Sequence, residues 1–261
     1  ALLGAIVLVA TRKVAPDQAA RSIDVPTMAL LFGLMVISAQ LRLGGFYTQV
    51  TRRIAAARWS PAALLAVLMA VEAILSAVLA NDIVCLAVAP VIVEACARKR
   101  LNPVPHLIGL ACASNIGSAA TLIGNPQNML VGQVLRLGFG SYLVDAGVPS
   151  VVGVVVAWAI IAWQYRGDWQ GELVIPELDA PTFNPWQSGK GLLVATLLVA
   201  AFLFAPWPRE VVALTCAGVL LMSRRMATRK MLGQVDWQLL VLFAGLFVVN
   251  HALQATGALE G

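Results

Sequence analysis

Eight apolar runs joined by short polar segments make up most of this chain: 1–11, 26–44, 61–97 interrupted at Asn81-Asp82, 104–139 interrupted near Gly117–Asn128, 146–164, 190–206, 209–222 and 236–256. A helix that crosses a bilayer needs about 20 mostly apolar residues, fewer where it is broken or buried. The chain has little with which to cover these runs in water. Charged residues are 12% of the total and hydrophobic ones 60%, with a mean hydropathy of +0.84, whereas soluble domains carry about 25% charged residues. The surface therefore faces lipid, and the expected class is an all-α polytopic membrane protein.

The same composition excludes disorder, a collagen-like repeat and a disulfide scaffold. Cys85, Cys96, Cys112 and Cys216 lie in apolar runs without C-x-x-C spacing and read as small buried side chains. The net charge of +5 is read through the placement of Lys and Arg, with the bilayer and not nucleic acid as the partner. No G-x-S-x-G, H-E-x-x-H or P-loop occurs, and two histidines leave little for acid–base or metal chemistry, so no enzyme and no cofactor are expected. The chain opens at Ala1 inside an apolar run and reads as an excerpt.

Organisation follows from three signals. Ser60-Pro61 is an N-cap followed by the favoured first helical residue, so a helix starts there. In 45–59, Phe46, Val50, Ile54 and Ala57 share one helical face and Arg52, Arg53 and Arg58 lie off it, as expected of an arm helix in the membrane interface. The third signal is a repeat: residues 1–46 align without gaps on 213–258, with 14 of 46 identical and Arg12/Arg224, Asp24/Asp236, Gly33/Gly245 and Gly45/Gly257 in step.

With 61–97 as a re-entrant hairpin, segments 42–59, 98–106, 165–190 and 223–235 share a side and carry 13 Lys and Arg. The other side holds Arg12, Lys13, Arg21 and Arg209, which places the first group in the cytoplasm. The two copies of the polar joint, 12–25 and 223–235, then fall on opposite faces, which makes the repeat inverted. The expected division is a first repeat at 1–164, containing the arm helix 45–59, the hairpin 61–97 and a broken helix 104–139. A cytoplasmic linker at 165–189 and the start of a second repeat at 190–261 follow.

Two interruptions are too polar for plain spans. Asp82, in Leu79-Ala80-Asn81-Asp82, costs roughly 2.5–3.5 kcal/mol at mid-helix and needs a partner, a proton or a cation. A turn there points the helix resuming at Ile83 into a cavity with its positive end. The second, Ser114-Asn115-Ile116-Gly117-Ser118-Ala119-Ala120-Thr121-Leu122-Ile123-Gly124-Asn125-Pro126-Gln127-Asn128, carries helix-breaking Gly and Pro. Its freed carbonyls and Asn, Ser and Thr oxygens suit Na⁺ or a proton, and the helix resuming at Met129 suits an anion. Glu72 lies deep enough to take part in protonation or in a structural bond, and Glu94 reads as snorkelling from the hairpin's cytoplasmic end.

At these two motifs the chain resembles the ion-transporter superfamily of arsenical-pump membrane proteins, citrate and other divalent-anion symporters, and a class of bacterial sodium–proton antiporters. The 114–128 segment is similar to that family's signature loop, and Asn81-Asp82 followed by an apolar run to Pro90 is similar to its hairpin tip. The resemblance implies two inverted repeats, each with a re-entrant hairpin and a broken helix, in a homodimer in the bacterial inner membrane. It implies a cation site at Asn81, Asp82, Ser114, Asn115, Gly117, Ser118, Gly124 and Asn125. Substrate contacts would come from Asn81, Asp82, Asn115, Thr121 and Asn128. The expected function is secondary active transport of a small inorganic or organic anion coupled to Na⁺ or H⁺; the alternatives are a cation–proton antiporter and, more remotely, a membrane-embedded enzyme. Ala80-Asn81-Asp82 stands where dicarboxylate members carry Ser-Asn-Thr, so an arsenical-pump-like permease is the nearer likeness. A second hairpin and loop are expected beyond Gly261.

Overall fold

A computed structural model describes residues 1–171, 181–222 and 228–255, and its regular structure is helical. In chain order the helices are α1 (Leu2–Ala10), α2 (Pro16–Ser22), α3 (Val25–Leu43), α4 (Phe46–Ala56), α5 (Pro61–Val78), α6 (Asn81–Lys99), α7 (Pro103–Ser118), α8 (Pro126–Val134), α9 (Phe139–Gln164), α10 (Pro185–Phe204), α11 (Arg209–Leu221), α12 (Thr228–Leu232) and α13 (Trp237–Ala255). Of these, α3, α5, α9, α10 and α13 are long and apolar enough to cross a bilayer. The protein is an all-α polytopic membrane protein.

Local chemistry sets the helix starts. Proline occupies the first turn of α2, α5, α7, α8 and α10, where its missing N–H has no intrahelical partner. Four of these helices are capped by the residue before the proline: Ser60 accepts from Ala63 N (3.3 Å), Asn102 from Val104 N (3.0 Å), Asn125 from Asn128 N (2.8 Å) and Asn184 from Gln187 N (3.2 Å). Two expected starts shift as a result. Helix α6 begins at Asn81 and not Ile83, because the first turn leaves its N–H groups unpaired and favours an acid such as Asp82. Helix α8 begins at Pro126 and not Met129, so the proline read as a breaker opens the next helix.

Residues 61–99 form a hairpin. Lys99 Nζ donates to the Ala57 carbonyl (2.8 Å), which brings the end of α6 to the start of α5. The turn is Leu79-Ala80, both outside the helical region. The segments around it gather on the same face: Asn102 N–H donates to Trp169 O (2.9 Å) and Asn184 N–H to Gly44 O (2.9 Å). Of the expected cytoplasmic group, residues 172–180 and 223–227 lie outside the described residues, as do the Arg12/Arg224 and Gly45/Gly257 matches. Helix α4 packs differently from the expected face. It buries Tyr47, Thr48, Thr51 and Ala55, while Phe46, Val50 and Ile54 are half-buried; small and hydroxylic residues let it lie close against α6.

The repeat reappears as reciprocal contacts. A Cβ on Gly33 would lie 2.8 Å from Ala213, and one on Gly245 would lie 2.8 Å from Ala1 and 2.7 Å from Leu2 N. Gly245 and Ala213 are the copies of Gly33 and Ala1, so each contact is the other with the copies exchanged, as a two-fold relation requires. Asp24 accepts from Thr27 N (3.0 Å) and its copy Asp236 from Leu239 N (2.9 Å), so both cap the helix that follows. Helices α3 and α13 run antiparallel: Phe32 meets Trp237 near the start of α13, and Ile23, just before α3, packs against the same apolar cluster as Val249 and Ala252 near the end of α13.

Close approach of α5 and α7 holds the hairpin to the broken helix. A Cβ on Gly117 would stand 2.4 Å from Ala73 Cα and O, inside the backbone of α5. Gly117→Val is therefore expected to lower stability by about 1–3 kcal/mol or more through overpacking. Gly218→Ala, with nothing within 4 Å, should raise it by about 0.5–1 kcal/mol. Thermal unfolding of the two purified variants checks the pair; equal melting would contradict it.

Candidate functional site

The hairpin tip is held by hydroxyl groups from two other helices. Ala80 N–H donates to Ser38 Oγ on α3 (3.1 Å), and Ser114 Oγ on α7 donates to the Asn81 carbonyl (3.3 Å). Leu79 and Asn81 are buried, while Asp82 is exposed on the first turn of α6. A carboxylate there faces the positive end of a helix, which offsets part of its cost in an apolar setting.

The 119–125 break is braced almost entirely by its own side chains. Thr121 Oγ1 donates to the Ala77 carbonyl of α5 and accepts from Ile123 N (3.3 Å) and Gly124 N (3.1 Å). Asn128 Nδ2 reaches the carbonyls of Thr121 (2.9 Å), Ala119 (3.3 Å) and Ser118 (3.4 Å). Asn125 Nδ2 donates to Ser118 Oγ (3.2 Å), whose proton goes to the Asn115 carbonyl (2.8 Å). Gly124 is required by proximity, since a Cβ would lie 2.2 Å from Ser118 O. The Thr121 hydroxyl and the Asn128 side-chain nitrogen are thus engaged in shaping the loop.

Tip and break meet over one cavity of about 210 Å³. Asn81 and Asp82 line it from the hairpin, and Gly124, Asn125 and Pro126 from the break. Arg42 from α3 and Gln234 and Asp236 from the turn before α13 complete the polar wall. These last three were not singled out in the sequence. Asp236 was visible as a repeat identity, but its capping role and its place opposite Asp82 depend on the packing of α13 against α3.

The other expected residues divide. Ser114 and Ser118 are buried beside the cavity wall, bonded to Asn81 and to Asn115 and Asn125, and Gly117 is the contact with α5. Asn115 is exposed and its amide turns back to the Ala111 carbonyl (2.9 Å), away from the lining. Glu94 does not snorkel. It is buried and ion-paired with Arg52 (2.9 Å) and Arg98 (3.0 Å), because α4 lays Arg52 over it.

A helical membrane protein whose hairpin tip and unwound helix enclose one polar cavity has the build of a solute-translocating protein. The chain belongs to the citrate transporter family (CitMHS), whose pattern matches residues 1–261. It is 33% identical over 252 residues to the uncharacterized transporter Rv2685 of Mycobacterium tuberculosis (strain ATCC 25618 / H37Rv), covering 91% of this chain and 58% of that protein. It is 30% identical over 177 residues to the silicon efflux transporter LSI3 of Oryza sativa subsp. japonica, covering 68% and 36%. It is 31% identical over 179 residues to the magnetosome protein MamN of Paramagnetospirillum magneticum (strain ATCC 700264 / AMB-1), covering 68% and 39%. The chain spans about three-fifths of the length of the mycobacterial relatives it matches.

The bracing gives two contrasting expectations. Thr121→Val strands the Ala77 carbonyl and two loop N–H groups, and each buried unsatisfied group costs about 1–3 kcal/mol. Asn115→Ala removes an exposed bond within its own helix and should stay within about 0.5 kcal/mol. Melting temperatures of the purified variants report the difference; a Thr121→Val protein as stable as wild type would contradict the bracing role.

Proposed function

We propose that this chain is part of a secondary active transporter that moves a small anion together with Na⁺ or H⁺. The observation that carries the reading is the shared cavity, where the first turns of α6 and α8 meet beside Asp82 and Asn125. Exposed first-turn N–H groups and the helix dipoles favour an anion. Asp82 and Asp236, with Arg42 the one lining cation among the described residues, would repel one. A cation or proton at Asp82, shared with the oxygens of Asn81 and Asn125, removes the conflict and makes anion entry depend on it. The same requirement gives symport in place of simple leakage.

The size of the cavity favours small solutes, since drug-sized ligands occupy about 300–1,000 Å³ and this space is about 210 Å³. The family description names citrate and the rice relative is named for silicon efflux, so organic and inorganic solutes both belong in the test. Two inverted halves at 1–164 and 190–261 joined by 165–189, a homodimer, and a bacterial inner-membrane location form part of the same reading.

The test is uptake by full-length protein in proteoliposomes across a panel of carboxylates and inorganic oxyanions, with Na⁺ and pH gradients varied. One small anion should accumulate against its gradient only when an ion gradient drives it. Asp82→Asn, which keeps size and hydrogen bonding, should abolish or sharply reduce the ion dependence. Unchanged ion dependence in a folded Asp82→Asn protein would remove Asp82 from coupling.

A further inference from the structure

Helix α5 carries a carboxyl group that the site described above does not use. Glu72 is 2% exposed, and among the described residues no cation lies within ion-pair distance of it. Its hydrogen-bond neighbour is Ser76, whose Oγ lies 3.5 Å from Glu72 Oε1. Ser76 Oγ in turn lies 3.3 Å from Ser114 Oγ, and Ser114 Oγ lies 3.3 Å from the Asn81 carbonyl. Ser76 and Ser114 are buried at 0% and 2% exposure. The result is a closed file of oxygens from the middle of α5 to the hairpin tip.

Counting protons along the file shows what it can do. There are three gaps: Glu72–Ser76, Ser76–Ser114 and Ser114–Asn81. A hydroxyl donates once, and the Asn81 carbonyl only accepts. With Glu72 protonated, three protons fill the three gaps, all pointing toward the tip. With Glu72 ionised, two protons remain. The carboxylate is the strongest acceptor and takes the proton of Ser76. Ser114 then fills the gap to Ser76, and the Asn81 carbonyl loses its side-chain donor.

Among the described residues, no group around Glu72 supplies a counter-charge. Among the helices packed against α5, α4 brings Tyr47 and α6 brings Cys85 near Glu72, and neither carries a fixed positive charge. From α7 and α9, His106 lies by Pro61 at the other end of α5, and Asp145 is exposed.

We infer that Glu72 is a protonation switch for the hairpin tip: its proton keeps the Asn81 carbonyl bonded to Ser114, and loss of the proton to water frees that carbonyl for a cation. The role of the freed carbonyl rests on the reading of the tip as a cation site, but the switch itself does not. Proton and cation then occupy the two ends of one file in alternation, which gives the tip a built-in exchange of H⁺ for Na⁺.

Asn81-Asp82 is the one Asn-Asp step in the 261 residues, so full-length protein labelled with carbonyl-¹³C Asn and ¹⁵N Asp reports the Asn81 carbonyl of this segment by solid-state NMR. In lipid without Na⁺, that signal should move with pH in a single titration. In Glu72→Gln, whose amide still donates to Ser76, it should stay at its low-pH position. In Ser76→Ala, which cuts the file without touching the tip, the titration should be lost as well. Added Na⁺ should shift the wild-type transition to lower pH. A signal that does not move with pH, or that titrates equally in Glu72→Gln, overturns the switch, the second outcome assigning the movement to Asp82. Because this readout needs no transport, an intact titration supports the switch even where every solute in the uptake panel fails.

Discussion

Main-chain groups released where a helix stops inside a helical bundle have no water to bond, and each must find a partner in the protein. That constraint organises the centre of this molecule. The tip at Leu79-Ala80 and the break at 119–125 are the two such places on the cavity, and the side chains around them act mainly as substitutes for the missing helical bonds. Ser38 and Ser114 serve the tip; Thr121, Asn125 and Asn128 serve the break. Once those bonds are made, the polar side chains lining the cavity among the described residues are Asn81, Asp82, Asn125, Arg42, Gln234 and Asp236, with the first turns of α6 and α8. Structure and function are separated here by which polar groups remain after the loop has closed.

The close glycine contacts follow from the same requirement. A hydroxyl on α7 can reach a carbonyl at the tip only if α5, α6 and α7 approach closely, and Gly117 against Ala73 allows this. The two-fold exchange of Gly33–Ala213 and Gly245–Ala1 then locks α11 to α3 and α1 to α13. Through that packing the turn before α13 comes to face the first hairpin, so the cavity draws residues from both copies of the repeat.

Much of this was legible before any coordinates. The eight apolar runs, the hairpin and the broken helix follow from run length and from polar residues where lipid would forbid them, and the repeat register from Asp24/Asp236 and Gly33/Gly245. Less legible was what each polar residue bonds to. The loop bonds of Thr121 Oγ1 and of the Asn128 side-chain nitrogen carry no signal of their own, because a side chain that bridges two strands of loop looks the same in sequence as one that faces a cavity. Proline followed the same pattern. Pro126 reads as a breaker, while Asn125-Pro126, like Asn102-Pro103 and Asn184-Pro185, is a cap followed by a first helical residue. Arg42, Gln234 and Ser38 carried no local signal, because their positions depend on α3 and α13 crossing. Glu72 was legible as a deep carboxyl, but its link to the tip through Ser76 and Ser114 required the packing of α7.

The account turns on hairpin, break and second repeat forming one solute-accessible cavity. Leu86 lines it from the hairpin and Gln234 from the second repeat. In full-length protein with every native cysteine, Cys85, Cys96, Cys112 and Cys216 among them, replaced by alanine, a single cysteine at Leu86 or at Gln234 can be reacted with a water-soluble thiol reagent in membranes. A solute and ion pair that protects one position should protect the other in parallel, over the same concentration range. Protection of one with unchanged reactivity at the other would contradict a shared cavity.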